Sequence, residues 1–403
     1  VRFKKKAYPS PIFDMFVLYI KTMKKRKLTH PIIAGNLILL LFFFHTLTAG
    51  QSVHSGLKDL SPSNQIDTLL KLAESLAPDQ PDSAIYLAET AIQIQGEKEN
   101  PLSYKLLADA YYYKNDFTTA AKHYLQSANI EKDIHGLFSD QYGKRLNDVG
   151  FCYAILGLYD NAVDYYNKAL EIHKKTENKE EIYSVLNNLG GAYFGLAEYE
   201  KAIDHFEQTL KFDEEQGDNN NLSISNNNIG KVYQAWGKYD LSIKYFNKAL
   251  LHSRKAGNKM TEAIRLSNLG MSYLGKEEYD KALEYLYKAL DLDKKTGNRY
   301  KTAIRENEIS KILAEKGDFH KAIEYSLSAL DFFRKANIHE SMAIVYIDLG
   351  GYYLGTGSYK KAENALKESL KQADIMDSQY LTMQAYKGLS EVYEQWGKYD
   401  KAL

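Results

Sequence analysis

Residues 228–250 read NIGKVYQAWGKYDLSIKYFNKAL. An apolar residue precedes a glycine (Ile229-Gly230), and Tyr233 follows three residues after that glycine. Gly237 marks a turn, Tyr239 an aromatic two residues on, and Ser242 a small residue after it. Working outward, the apolar-small pair returns as Val149-Gly150, Leu189-Gly190, Leu269-Gly270, Ile309-Ser310, Leu349-Gly350 and Leu389-Ser390, each 40 residues from its neighbour. Tyr153, Tyr193, Tyr273, Leu313, Tyr353 and Tyr393 keep the offset of Tyr233. A fixed period of this size predicts stacked units, each too small to bury its own apolar face.

Within residues 180–220, Leu186, Leu189 and Tyr193 lie at steps of three and four, on one helical stripe. Gly190 sits beside that stripe, where the missing side chain lets a second helix approach. Ala197-Glu198 breaks the run, at a place where other repeats carry Gly157, Gly237, Gly317, Gly357 and Gly397. A residue ending a helix there often takes positive φ. A second helix begins at Tyr199, with Ala202, Phe206 and Leu210 as its stripe and Gly217 as its end. Ala162, Ala282, Ala322, Ala362 and Ala402 share the slot of Ala202. Small residues on both helices allow a tight hairpin.

This succession of Leu-Gly, Tyr, Gly turn, aromatic, Ala, Phe or Tyr, and Ala resembles the tetratricopeptide repeat family. The family unit is about 34 residues, so the extra residues here lengthen the helices. The resemblance implies an all-α fold, a right-handed α-solenoid of stacked antiparallel helix hairpins. Two degenerate units are expected at 63–98 and 101–135, the first carrying Ala84 and Ala91, the second Leu107-Ala108, Tyr111, Phe117, Ala120 and Tyr124. Units of about 40 residues follow from 143, and the last stops at Leu403 inside a helix. Because a solenoid normally closes with a capping helix, the chain is expected to be a fragment of a longer protein.

Lys+Arg and Asp+Glu both number 52, so the formal net charge is zero. That argues against nucleic acid, which requires a concentrated basic surface. Cys152 is the only cysteine, which excludes an intrachain disulfide or a thiolate zinc site. It reads as a small apolar residue on a packed helix. The ten His are scattered, and no H-E-x-x-H or Cys/His ligand spacing occurs. Glycines around Gly190-Gly191 and Gly237-Lys238 have the wrong spacing for a phosphate loop. No catalytic residue, cofactor or metal is expected.

Residues 23–50 have the order of a secretory signal peptide. Lys24, Lys25, Arg26 and Lys27 come first, an apolar stretch runs from Pro31 to Phe44, and small or polar residues lead to Gly50. Cleavage is expected near Ala49 or Gly50, with an uncleaved anchor as the alternative. Residues 1–22 are an uncertain leader, since Met23 makes a better start than Val1, and 51–62 form a linker. The expectation is an exported protein, periplasmic or membrane-associated, touching a membrane only through this segment or a span beyond residue 403.

One polar set remains. Asn147, Asn187, Asn227 and Asn307 lie three residues before the small slot, and Asn188, Asn228 and Asn268 two before it. Asn is a mediocre helix former, so its recurrence requires a reason. The face continues to Lys231 and Lys311, then to Phe194 and Gln234. In tetratricopeptide peptide receptors the matching face lines a concave groove, so the resemblance implies that these residues contact a peptide, Asn through its backbone and Lys through a carboxylate. The alternative is that the amides bond neighbouring repeats. The resemblance leaves two functions open: a non-enzymatic scaffold for a protein or peptide partner, or the sensory input region of a larger bacterial membrane signalling protein.

Overall fold

The computed structural model describes residues 60–96 and 99–402, together with Leu57. The leader (1–22), the expected signal peptide (23–50) and most of the linker (51–62) lie outside them. The described chain is helical and divides after Cys152 into two compact units.

Unit 1 holds α1 (Pro62–Leu76), α2 (Pro81–Gln95), α3 (Pro101–Tyr113), α4 (Phe117–His135) and most of α5 (Asp140–Ile155). Proline opens α1, α2 and α3, where its missing N–H leaves no bond unmade. Asn100 and Asp116 cap α3 and α4 by accepting from Leu102 N (3.0 Å) and Thr119 N (3.1 Å). Leu69, Leu70, Ala84, Ala88 and Leu106 form the core between the first three helices. Cys152 is fully buried, and burial pushes its thiol up to about 12. It packs as a small side chain inside the helical core.

Unit 2 is an α-solenoid of antiparallel helix hairpins stacked in chain order. Its first helices are α7 (Lys179–Gly195), α9 (Asn219–Ala235), α11 (Lys259–Gly275), α13 (Arg299–Glu315), α15 (His339–Gly355) and α17 (Gln379–Gln395). Its second helices are α6 (Tyr159–Lys175), α8 (Tyr199–Gln216), α10 (Tyr239–Lys255), α12 (Tyr279–Lys295), α14 (Phe319–Lys335), α16 (Tyr359–Ile375) and α18 (Tyr399–Ala402). Among the described residues no helix is long and apolar enough to cross a membrane.

The small slot sets how closely the two helices of a hairpin approach. A Cβ on Gly190 would stand 2.7 Å from the Phe206 ring, and one on Gly230 2.7 Å from Phe246. Gly270 meets Leu286 and Gly350 meets Leu366 in the same way. The turn between the helices takes positive φ, at Gly237 (74°) for example. In unit 2 two repeats do this without glycine, at Ala197 (58°) and Glu277 (61°), as does the α3–α4 turn of unit 1 at Asn115 (63°).

A second glycine position follows an alternate rhythm. Gly195, Gly275 and Gly355 end α7, α11 and α15, at intervals of 80 residues. There the aromatic that opens the preceding second helix, Tyr159, Tyr239 or Phe319, lies against the glycine backbone. In two of the intervening repeats that aromatic lies beside a tryptophan instead. Tyr199 and Trp236 have ring centroids 5.8 Å apart, as do Tyr359 and Trp396.

The tyrosine after the small slot is buried only in the last repeat, at Tyr393, and elsewhere packs at the edge of the core. Tyr193, Tyr233 and Tyr273 are half-buried and stack on His205, Tyr245 and Tyr285 of the second helix at 5.3–5.5 Å. Outward Lys and acidic residues pair four apart on the second helices, as Lys168–Asp164 and Lys288–Glu284 do. Exposed pairs of this kind contribute little to stability.

Candidate functional site

First helices meet first helices through side chains offset by 41 residues. Asn228 Nδ2 donates to Asn187 Oδ1 (3.3 Å), and Asn268 Nδ2 to Asn227 Oδ1 (2.7 Å). Ser267 Oγ donates to Glu308 Oε2 (3.0 Å), and Asn307 Nδ2 to Asp348 Oδ2 (3.3 Å). The offset exceeds the period by one, so each polar residue meets the position after its own equivalent on the next repeat. The four bonds join α7, α9, α11, α13 and α15 into one face.

Of the residues singled out in sequence, Asn187, Asn227 and Asn307 belong to this ladder. Gln234 also bonds forward, its Nε2 donating to Ser272 Oγ at 3.1 Å. Lys311 pairs with Asp348 (3.3 Å). Lys231 and Phe194 are exposed, the Phe194 ring lying 6.4 Å from that of Tyr199. Asn147 is half-buried on α5 in unit 1. The amides thus serve the contact between repeats, which does not use all of their bonding capacity. Asn187 and Asn227 accept through Oδ1, which leaves Nδ2 as a donor.

Asn307 differs. Its Nδ2 faces the acceptor Asp348, which fixes the amide's orientation. Its Oδ1 is buried and has no hydrogen-bond partner among the described residues. An unmet buried acceptor is destabilising until a donor reaches it. Burial pushes the Asp348 carboxyl up, against the pull of Lys311 and Asn307.

Asn307 also lines a cavity of about 200 Å³ between three first helices. Met271 and Leu274 come from α11, Ile304 and Lys311 from α13, and Ile344 and Val345 from α15. Ile304 and Ile344 belong to a column, Ile224, Ile264, Ile304 and Ile344, six residues before each small slot. Ile224 is 45% exposed. This aliphatic column escaped the sequence analysis, although its interval of 40 was available as a signal.

Other polar clusters hold the solenoid together. Buried Asp213 accepts from Tyr183 OH (3.3 Å) and from Ser225 OH, and burial pushes its carboxyl up. Glu363 is held by Lys367 (2.7 Å), Lys360 (3.1 Å) and Tyr393 OH (2.9 Å). Among the described residues no group of three or more His, Cys, Asp or Glu could hold a metal ion.

The tetratricopeptide repeat family model matches residues 144–215, 221–295 and 301–375. The apo quorum sensor NprR from B. thuringiensis is similar in fold, with a TM-score of 0.57, 18% identity, and coverage of 84% of this chain and 95% of that one. Apo RapI gives 0.53 at 15% identity, covering 69% and 98%. The signal transduction ATPase PH0952 from Pyrococcus horikoshii, which has a tetratricopeptide repeat sensor, gives 0.55 at 18% identity, covering 86% of this chain and 52% of that one. No curated protein matches the chain.

Proposed function

The chain belongs to the tetratricopeptide repeat family, and from that premise we propose that unit 2 is a non-enzymatic scaffold whose first-helix face binds an extended peptide or protein segment. The observation that carries this is the cavity between α11, α13 and α15, with the unpartnered Asn307 Oδ1 in its lining. An apolar side chain of the ligand enters between Ile304, Ile344 and Met271, while a ligand backbone N–H donates to Asn307. Asn187 and Asn227 offer Nδ2 to ligand carbonyls, and Phe194, Gln234, Lys231 and Lys311 extend the contact along the same face.

Affinity selection of random 12-residue peptides on the purified chain tests the proposal. Enrichment of peptides with a bulky apolar residue is expected, and Ile304→Asp, which puts a charge into the cavity wall, should abolish it. Equal recovery on the Ile304→Asp protein, with helicity unchanged by circular dichroism, would exclude this face.

A further inference from the structure

A cavity of about 420 Å³ lies beside α13, between residues of α12 and α14. From α13 it takes Arg299, Thr302, Ala303 and Glu306. The smaller apolar cavity takes Ile304, Asn307, Glu308 and Lys311 from the same helix. Two residues along a helix turn about 200°, so Thr302 and Glu306 leave α13 on the side opposite Ile304 and Glu308. The larger cavity is therefore separate from the proposed peptide face. Its volume falls in the range of small-molecule sites, about 300–1,000 Å³.

Two residues in its lining break the pattern of the repeat. Glu306 stands where other first helices carry Leu146, Leu186 and Leu266, with Asn226, Tyr346 and Tyr386 in the rest. It is the acid of that series. Ser328 stands where other second helices carry Lys168, Gln208, Lys248, Lys288 and Glu368. Its short side chain leaves room that those would fill, and its Oγ donates to Glu306 Oε2 at 2.7 Å.

Glu306 is only 7% exposed, and a buried carboxylate is costly without a close cation. The two other buried glutamates among the described residues have two cations each. Arg254 (2.8 Å) and Lys259 (2.9 Å) hold Glu262, and Lys367 (2.7 Å) and Lys360 (3.1 Å) hold Glu363. Glu306 has Lys294 alone, with Nζ 3.6 Å from Oε1, beyond hydrogen-bond reach. Lys294 and Arg299 are both exposed in the cavity lining, and Arg299 makes no ion pair among the described residues. Lys335 is taken by Asp331 at 2.6 Å. Phe332 adds a half-buried aromatic wall.

We propose that this cavity binds a free α-amino acid with an apolar side chain. The ammonium donates to Glu306 Oε1, the carboxylate meets Lys294 and Arg299, and the side chain packs on Phe332 and Ala303. A ligand with positive charge alone would face Lys294 and Arg299 unpaired, and one with negative charge alone would leave Glu306 without its donor. A peptide carries its terminal charges at opposite ends, whereas a free amino acid carries both on one carbon. The site does not depend on the peptide-scaffold reading.

Calorimetric titration of the purified full chain with L-leucine, L-methionine and L-phenylalanine tests this. At least one should bind with millimolar or tighter affinity. Its N-acetyl derivative and its amide should each lose roughly tenfold or more. Glu306→Gln keeps the shape and the Ser328 bond and should lose about as much. Glu306→Leu restores the residue of three other repeats, so it should abolish binding while raising the melting temperature.

No binding of any of the three amino acids overturns the proposal. Full affinity for the N-acetyl derivative overturns it too, as does undiminished binding to either variant. The derivatives are measured on the wild type, so they decide the matter even where a variant fails to fold.

Discussion

Ser310 and Ser326 face each other at 2.9 Å across one hairpin, at the position where the neighbouring repeats set a glycine against Leu286 or Leu366. The slot is larger by a hydroxymethyl and its partner smaller by most of an aliphatic side chain, so the pair conserves volume. Tyr352 OH, 3.4 Å from Ser310, fills part of the remainder. Ser326→Leu alone should overpack the site and lower stability by about 1–3 kcal/mol. Ser310→Gly with Ser326→Leu should recover most of that loss. Urea midpoints of the two variants and the wild type give the coupling, and purely additive effects would refute it.

Backbone strain at Ala197 and Glu277 is separable from packing. Both hold left-handed φ that glycine adopts in the other repeats of unit 2. Ala197→Gly and Glu277→Gly should each stabilise by about 1 kcal/mol, the penalty for a Cβ in that region. A rise in the thermal midpoint for both would bear this out, and a fall for either would refute it.

The amide ladder makes a third expectation. Asn227 is 4% exposed and accepts from Asn268. Asn227→Ala should destabilise by about 1–3 kcal/mol, because the Asn268 donor loses its partner. Asn187, which is half-buried, should cost less on the same change. Hydrogen exchange of the α9 and α11 amides would locate the effect, and equal losses for the two variants would count against it.

Two buried acids respond to pH with opposite sign. Burial raises the Asp213 carboxyl above its unfolded value, so folding binds a proton and stability falls as pH rises from that value through the folded one. Lys367, Tyr393 and Lys360 hold Glu363 down at about 2 against the opposing effect of burial, so its contribution is present above the unfolded value of 4.5 and is lost as pH falls through about 2. Asp213→Asn should raise the thermal midpoint at neutral pH more than at pH 4. Glu363→Gln should lower it at pH 7 and weaken the acid dependence. Parallel pH profiles for wild type and either variant would refute the assignment.

The repeat was legible because packing leaves a record in residue size. Gly190, Ala202 and Phe206 can occupy their positions only if two helices touch there. The role of the Asn residues was less legible, because an amide has the same composition whether it bonds a neighbouring repeat or a ligand. The deciding quantity is the 41-residue offset between bonded partners, one longer than the period, and that arises from how successive helices are staggered. Ile224, Ile264, Ile304 and Ile344 were overlooked for a different reason: isoleucine at helical spacing looks like core, and only its position on the shared face marks it as a surface.

The alternation of Gly195, Gly275 and Gly355 with Trp236 and Trp396 bears on how the molecule can change length. Adjacent hairpins here come in two kinds, except that the repeat after Tyr279 carries Lys316 where its counterparts carry tryptophan. Removing one hairpin would bring a ring onto a helix end built for a different neighbour, whereas removing two in succession, 80 residues, would restore the match. The unit that can be gained or lost without repair is therefore the pair, and lineages carrying this pattern are expected to differ by even numbers of hairpins.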